Sequence, residues 1–180
     1  MADKQPRRRL FLALWPDDIT RDRLATVQRQ LALIERLRTA RPVAVENLHI
    51  TTHFLGAVSD DDHMQLEGLL SDVRGRSCTL LIDRWGYFPK AKVLWLGAQA
   101  APDALQDLFE QTQSCVQACI EGYQGNRFVP HITVFRKARH PLEVDEFEPI
   151  EWPVDRFVLV ESDTRPEGPV YTVLKEWFLI

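Results

Sequence analysis

Two copies of the tripeptide His-Ile-Thr, at residues 49–51 and 131–133, place the strongest constraint on what this chain can fold into. Each copy lies in a run of β-prone residues, so each is predicted to lie on a strand. Side chains alternate between the two faces of a strand, and residues two apart point the same way. Two such strands facing each other would therefore enclose a site with two histidines and two threonines.

Hydrophobic periodicity predicts the order strand, helix, strand, helix, strand, strand, helix, strand, strand, strand. The predicted strands are residues 10–15, 46–55, 78–83, 92–97, 128–136, 154–160 and 170–179, the predicted helices are 17–38, 59–73 and 102–120, and 84–90 is a predicted loop. This order favours a mixed α+β fold with antiparallel pairing over a regular parallel α/β alternation. A length of 180 residues fits one domain, or one domain built from two similar lobes.

The net charge of −4 and the pI near 5.7 argue against broad wrapping of a nucleic-acid backbone, which usually needs a basic surface. They leave room for a small, locally positive pocket that takes one phosphate. The arginine run at 7–9 could touch a phosphate backbone, although a short charge run at a terminus is more often solvated. Three cysteines without a Cys-x-x-Cys pair indicate buried thiols and a reducing, cytoplasmic location. The apolar run at 10–15 is too short for a signal peptide or a membrane span.

The paired histidines and threonines are suited to phosphoryl chemistry. One imidazole can accept a proton while the other donates one, as an in-line displacement at phosphorus requires. Threonine hydroxyls can hydrogen-bond the non-bridging oxygens as negative charge shifts. Such a site needs no metal and no covalent nucleophile, and a strained 2′,3′-cyclic phosphate needs only an activated water and a protonated leaving oxygen.

The acidic run at 60–62 lacks the loop spacing of a magnesium or calcium site and instead suits the start of a helix.

Both tripeptides resemble the His-x-Thr-x motifs of the two-histidine phosphoesterase superfamily. The likeness is greatest to the RNA 2′,3′-cyclic phosphodiesterases, which also carry the name bacterial 2′-5′ RNA ligases. The segments that carry the resemblance are residues 9–16, 41–43, 47–51, 54–56, 93–97 and 130–134, with Arg136, Tyr171, Thr172 and Leu174. The resemblance therefore covers nearly the whole chain, with both motifs in order.

The resemblance implies a bilobal α+β fold in which two antiparallel β-sheets face each other across a central cleft, with helices packed outside. Residues 1–180 would form a single two-lobed domain with one motif in each lobe. By motif position, His49 would be the proton donor and His131 the proton acceptor, and Thr51, Thr133 and Arg136 would hold the phosphate. The residues alone leave open which histidine is the acid.

The resemblance also implies a substrate and its partners. The chain would hydrolyse the 2′,3′-cyclic phosphate at an RNA 3′ end, or on a nucleotide, to a 2′-phosphomonoester. No cofactor, metal, membrane or obligate protein partner is expected. Two alternatives stay open: 2′-5′ ligation of RNA halves by the same residues in reverse, and a non-catalytic module that binds RNA ends or nucleotides.

Strict alternation along the two motif strands leads to further expectations. It places His53 on the face of His49 and Thr51, which makes His53 a candidate at the edge of the cleft. It places Arg136 on the face opposite His131, so a phosphate-holding role for Arg136 requires a bulge or the strand end to redirect its side chain.

Two aromatic residues are candidates for stacking on a nucleobase. Alternation turns Phe54 away from the motif and into the core, whereas Phe88 lies in the predicted loop beside Tyr87 and Lys90. We therefore expect Phe88 to be the base platform. His63 and His140 lie in polar contexts and receive no role.

Overall fold

The structure, a computed structural model, describes residues 7–125, 127–139 and 147–180. Its strands are β1 (Arg7–Leu14), β2 (Arg41–Pro42), β3 (Ile50–Ser59), β4 (Cys78–Ile82), β5 (Arg84–Phe88), β6 (Val93–Gly97), β7 (His131–Arg136), β8 (Ile150–Val154), β9 (Arg156–Arg165) and β10 (Gly168–Phe178). Its α-helices are α1 (Asp18–Ala32), α2 (Asp60–Leu70) and α3 (Asp103–Cys119). His140 lies outside the described residues.

The strands form two antiparallel sheets, which confirms the expected α+β class. The larger sheet has the order β10-β9-β1-β3-β7-β6-β5, with β2 paired to β7, and the smaller sheet consists of β4 and β8. The two strands that carry the repeated tripeptide both lie in the larger sheet. They pair antiparallel at Ile50 and Ile132, the middle residues of the two tripeptides, and this pair joins the two halves of the sheet.

Strand β1 is apolar on both faces, as its sequence predicts. Leu10, Leu12 and Leu14 pack into the large core cluster, whereas Phe11 and Ala13 belong to a smaller cluster with Val158 and Val160. The small cluster is bordered by Trp15, Tyr171 and Val173. Because β1 lies between β3 and β9, it brings a second apolar surface alongside the first tripeptide.

Helix α2 begins at its predicted N-cap, Ser59, and α1 begins one residue later than predicted, with Asp17 as its N-cap. The Asp17 carboxylate accepts a hydrogen bond from the Thr20 amide at 2.7 Å, and the Ser59 hydroxyl accepts one from the Asp62 amide at 3.2 Å. The acidic run at 60–62 therefore occupies the first turn of α2, where negative charge is favourable. None of the helices in the described part of the chain is long and apolar enough to cross a membrane.

Several element boundaries differ from the sequence prediction. Strand β1 starts at Arg7 because the arginine run pairs with the end of β3. The predicted loop at 84–90 is largely strand β5, which pairs with β6 along its whole length. Strand β8 was not predicted, and α1 ends at Ala32, short of the predicted 38. These differences arise mainly from pairing with distant segments, which local periodicity does not report.

Candidate active site

Each motif strand carries an irregularity immediately after its threonine. Between β1 and β3, Ala13 pairs with Thr51 and Leu12 pairs with His53, so Thr52 is an extra residue. Between β6 and β7, Trp95 pairs with Thr133 and Leu94 pairs with Phe135, which makes Val134 extra. An extra residue of this kind is a β-bulge, and it reverses the alternation of the side chains beyond it. The third residue after each threonine therefore joins the face of that threonine.

The bulge in β7 directs Arg136 to the face that carries His131 and Thr133. Val134 and Phe135 are consecutive and both pack into the same large core cluster, which strict alternation would not allow. Arg136 comes next, on the opposite face, and lines the same cleft as His131 and Thr133. The redirection that a phosphate-holding role for Arg136 requires is thus present.

The bulge in β3 overturns the expectations for His53 and Phe54. His53 is only 1% exposed and faces the core, so it is not at the edge of the cleft. Phe54 is 67% exposed and lines the cleft with His49 and Thr51, although strict alternation assigned it to the core. The physical reason is the extra residue Thr52, which exchanges the faces of the two side chains.

His53 is a structural histidine with both ring nitrogens satisfied. The Thr112 hydroxyl donates to the Leu108 carbonyl at 2.8 Å, so it accepts from Nε2 of His53 at 2.9 Å. The Tyr123 hydroxyl lies 2.7 Å from Nδ1, and the Phe109 ring stacks on the imidazole at a centroid distance of 4.5 Å. Burial lowers the pKa of His53 to about 4, so the ring is neutral near pH 7.

A single cleft of about 800 Å³ brings the two tripeptides together. Its lining includes the five residues expected to carry the phosphoryl chemistry: His49, Thr51, His131, Thr133 and Arg136. Strand β10 contributes Tyr171 to the same cleft, and the turn before it contributes Glu167. Residues from both halves of the chain thus surround one space.

Both imidazoles are held by the same backbone contact. Nδ1 of His49 donates to the carbonyl of Asn47, and Nδ1 of His131 donates to the carbonyl of Val129, each at 2.7 Å. A carbonyl oxygen can only accept, so Nδ1 carries the hydrogen and Nε2 is left with its lone pair in the neutral ring. The Thr51 hydroxyl lies 2.9 Å from Nε2 of His49. Nε2 is therefore the reactive nitrogen of each ring.

His49 lies among three aromatic rings. Trp15 stacks on it at 5.4 Å, Phe11 lies 5.0 Å away, and Tyr171 meets it edge-on at 5.3 Å between ring centroids. Burial lowers the pKa of His49 to about 4; the hydrogen bond to Asn47 opposes this shift, and the positive charge of Arg136 adds to it. His49 is therefore a neutral imidazole near pH 7 in the free protein.

His131 has a more open environment than His49. The Phe88 ring meets it edge-on at 5.1 Å, and Trp95 lies 6.0 Å away between ring centroids. Phe88 lies on strand β5 rather than in a loop, and it is partly buried beside Trp95. Phe88 is not part of the cleft lining. Its edge-on contact supports the His131 ring from the side.

The cleft is locally positive although the chain is acidic overall. Four basic residues line it, against two acidic ones: Arg9, Arg41, Arg136 and Lys137, with Glu46 and Glu167. Within the described residues none of these side chains forms an ion pair with another. Sequence reasoning allowed a small positive pocket but assigned only Arg136 to it, because the other cations come from β1, β2 and the end of β7.

Comparison with known proteins gives consistent matches over most of the chain. The family model described as the 2′-5′ RNA ligase superfamily matches residues 17–166. A Thermotoga maritima protein named RNA 2′,3′-cyclic phosphodiesterase is 35% identical over 156 residues, which is 80% of this chain and 82% of that protein. An Escherichia coli protein of the same name is 36% identical over 143 residues, covering 77% of this chain and 80% of that protein. The fold is similar to that of E. coli LigT complexed with 3′-AMP, with a TM-score of 0.83 and 28% identity over 96% of this chain and 98% of that one.

Proposed function

Because this chain belongs to the 2′-5′ RNA ligase superfamily, we propose that it is an RNA 2′,3′-cyclic phosphodiesterase that opens the cyclic phosphate to a 2′-phosphomonoester. The observation that carries this proposal is the arrangement of His49 and His131. Each presents Nε2 from a ring held by its own backbone, and both line one cleft with Thr51, Thr133 and Arg136. Acid/base catalysis needs two such groups on either side of the phosphorus.

The reaction is a hydrolysis in which the two histidines move protons. Nε2 of His131 accepts a proton from a water molecule whose oxygen forms the new bond to phosphorus. The bond from phosphorus to the 3′ oxygen breaks, and that oxygen takes a proton from Nε2 of His49. The threonine hydroxyls and Arg136 bind the non-bridging oxygens, where negative charge increases in the transition state.

The assignment of His49 as the acid has a consequence for protonation. Its pKa of about 4 means that the free protein at pH 7 carries the neutral ring. A bound phosphate is negative and favours the charged imidazole, so its arrival raises this pKa. His49 therefore takes up its proton with the substrate, and the Thr51 hydroxyl then accepts from Nε2–H instead of donating to it.

Phe54 is a better candidate for the base platform than Phe88. Phe54 is exposed on the cleft side of β3, 6.4 Å from Phe11 between ring centroids, whereas Phe88 packs edge-on against His131 outside the lining. A free aromatic face stacks on any nucleobase. The substrates would be RNA 3′ ends or nucleotides that carry a 2′,3′-cyclic phosphate.

We also propose that residues 1–180 act as one two-lobed domain, each lobe supplying one motif, in the cytoplasm. All three cysteines are free thiols, as a reducing compartment favours.

The family description favours a second activity, 2′-5′ ligation by the same residues in reverse. Ring strain favours hydrolysis in water, so ligation requires high concentrations of RNA ends.

One assay tests the proposed function. Purified protein is incubated in EDTA with an oligoribonucleotide that ends in a 2′,3′-cyclic phosphate, and the product is identified by mass and by its resistance or sensitivity to a phosphatase. We expect a 2′-phosphate, lost in His49→Ala and in His131→Ala and retained in His63→Ala. His63 is a matched control because it lies on α2 beside Glu67, outside the cleft.

Each contrary outcome has its own meaning. Binding of the RNA end without turnover by the wild type would make the chain a non-catalytic module. A requirement for added metal would contradict the two-histidine mechanism. Joined RNA halves without a free 2′-phosphate would identify a ligase.

A further inference from the structure

Two arginines lie opposite each other in the cleft that holds the reactive histidines. Arg41 of β2 and Arg136 of β7 are direct partners across an antiparallel pair, and both line the cleft. Side chains at directly opposed positions share one face, with Cβ atoms roughly 5 Å apart. Like charges in this arrangement repel each other, and no described carboxylate forms an ion pair with either one. The pair is therefore stabilised when an anion binds between the two side chains.

A buried glutamine holds the two strands in this register. Nε2 of Gln28, on α1, donates to the carbonyls of Val43 and Val134, each at 2.9 Å. The Val43 amide donates to the same Val134 carbonyl at 2.9 Å. Val134 is the bulge residue that directs Arg136 into the cleft, and Val43 comes directly after the strand that carries Arg41. Gln28 is 5% exposed, so these bonds are protected from water.

The number of charges favours a doubly charged ligand for this pair. A cyclic phosphate carries one negative charge and two non-bridging oxygens, which Arg136 and the threonine hydroxyls can bind. A phosphomonoester carries roughly −1.5 to −2 at pH 7 and has three free oxygens. Two guanidinium groups offer enough donors and enough positive charge for that dianion.

We propose that Arg41 and Arg136 form a phosphate-dianion site, fixed by Gln28, that binds the 2′-phosphomonoester product more tightly than the cyclic substrate. This proposal rests on the proposed function and extends it to Arg41 and Gln28. Arg41 binds the product directly, and Gln28 is a positioning residue that acts through the two arginines. Product release is then opposed by charge, and free nucleoside 2′-phosphate inhibits the enzyme.

The first test compares a dianion with a monoanion at pH 7.5. The Kd of adenosine 2′-monophosphate is measured by calorimetry, and the KM of adenosine 2′,3′-cyclic phosphate by turnover. Since a charge-assisted hydrogen bond contributes about 1.5–3 kcal/mol, Arg41→Gln is expected to raise the Kd about tenfold or more and the KM less than about threefold. Arg76→Gln, which removes an exposed arginine outside the cleft, is expected to change neither.

The outcomes separate this inference from the proposed function. An unchanged Kd, or equal rises in Kd and KM, overturns the dianion site. A rise confined to the KM of an oligonucleotide substrate shows that Arg41 binds an upstream phosphodiester, which also overturns it. Binding of the 2′-phosphate without turnover refutes the proposed function alone, because the effect of Arg41→Gln can then be compared on the calorimetric Kd values of the 2′-phosphate and of the uncleaved cyclic phosphate.

The second test examines the positioning role of Gln28. Gln28→Met keeps the side-chain volume and removes both hydrogen bonds, so it is expected to raise the Kd of the 2′-phosphate several-fold. In the double variant with Arg41→Gln, the fold-increase in Kd is expected to be smaller than the product of the two single fold-increases, because both changes act on one pair. Val27→Ala removes buried volume from the same helix and is expected to lower the Tm while leaving the Kd unchanged. If Gln28→Met lowers the Tm in the same way without changing the Kd, Gln28 has a structural role only.

Discussion

Ile50 and Ile132 pair with each other where the two motif strands meet, and both side chains are fully buried. Each isoleucine is the centre of a His-Ile-Thr tripeptide, so antiparallel pairing at this point brings His49 and Thr51 alongside Thr133 and His131. The isoleucines point into the core while their neighbours point into the cleft. The repeat found in the sequence is thus a contact in the fold, related by an approximate local two-fold symmetry.

Shortening Ile132 is expected to reduce both stability and activity. Ile132→Val is expected to lower the free energy of unfolding by about 0.5–1.5 kcal/mol and Ile132→Ala by about 2–5 kcal/mol, because each leaves a cavity under the paired tripeptides. Urea unfolding measures the loss. Leu24→Ala, in the same core cluster but on α1, serves as the control. If both alanine variants lose stability but retain the same kcat, the isoleucine pair does not position the histidines.

His53 is expected to make the fold sensitive to acid. Its pKa is about 4 in the folded protein and near 6.5 when unfolded, so between these values the unfolded chain binds more protons. Stability is therefore full above about pH 6.5 and falls as the pH is lowered towards 4, by on the order of 3 kcal/mol for this group. His53→Phe removes the titrating ring, and its stability is expected to change less over the same range. Stability is measured by urea unfolding at several pH values between 7 and 4. An equal loss of stability over this range in wild type and His53→Phe would contradict the prediction.

A sulfur leaving group is expected to identify the acid. A substrate with a 3′-bridging sulfur in the cyclic phosphate expels a thiolate, which needs no proton to leave. His49→Ala is expected to regain turnover on this substrate by a factor of about 10² or more relative to its activity on the oxygen substrate, since general acid catalysis contributes about 10²–10⁴-fold. His131→Ala is expected to remain inactive on both. Rescue of His131→Ala alone would exchange the two roles.

The base platform is expected to be Phe54. Base–aromatic stacking contributes about 1–3 kcal/mol by alanine substitution, so Phe54→Ala is expected to raise the KM of adenosine 2′,3′-cyclic phosphate about fivefold to a hundredfold. The KM of ribose 2′,3′-cyclic phosphate, which has no base, is expected to change little. Phe88→Ala is expected to affect both substrates equally, because Phe88 supports the His131 ring. Equal effects of Phe54→Ala on the two substrates would exclude stacking.

Salt is expected to weaken the binding of longer RNA ends more than that of a mononucleotide. The cleft extends from the histidines to Arg9 of β1, and its four cations face two carboxylates. Each phosphate that a cation neutralises releases condensed counterions, which gives log K a steeper dependence on log salt. Arg9→Gln is expected to reduce this slope for a trinucleotide substrate by about 1. Equal slopes for wild type and Arg9→Gln would show that the RNA does not reach β1.

Much of the fold and of the chemistry was predictable because it depends on local patterns. The α+β class, the antiparallel pairing and the helix starts at Asp17 and Ser59 result from periodicity and capping. Strand β5 was missed because its own residues show no strand pattern. It is extended because it pairs with β6 along its whole length. The cations Arg9 and Arg41 were missed for a similar reason, since only the sheet places β1 and β2 beside the two motifs.

The sequence by itself determined which residue types perform the chemistry: an imidazole and a hydroxyl two residues apart, in each of two strands. Only the tertiary structure decided which way the side chains beyond each threonine point. Thr52 and Val134 are ordinary strand residues, and each becomes a bulge only because the neighbouring strand pairs around it. Alternation along a strand is a local property, whereas register is a relation between strands, and one unpaired residue reverses the side chains beyond it up to the next irregularity. The fold therefore placed Phe54 and Arg136 in the cleft and His53 in the core.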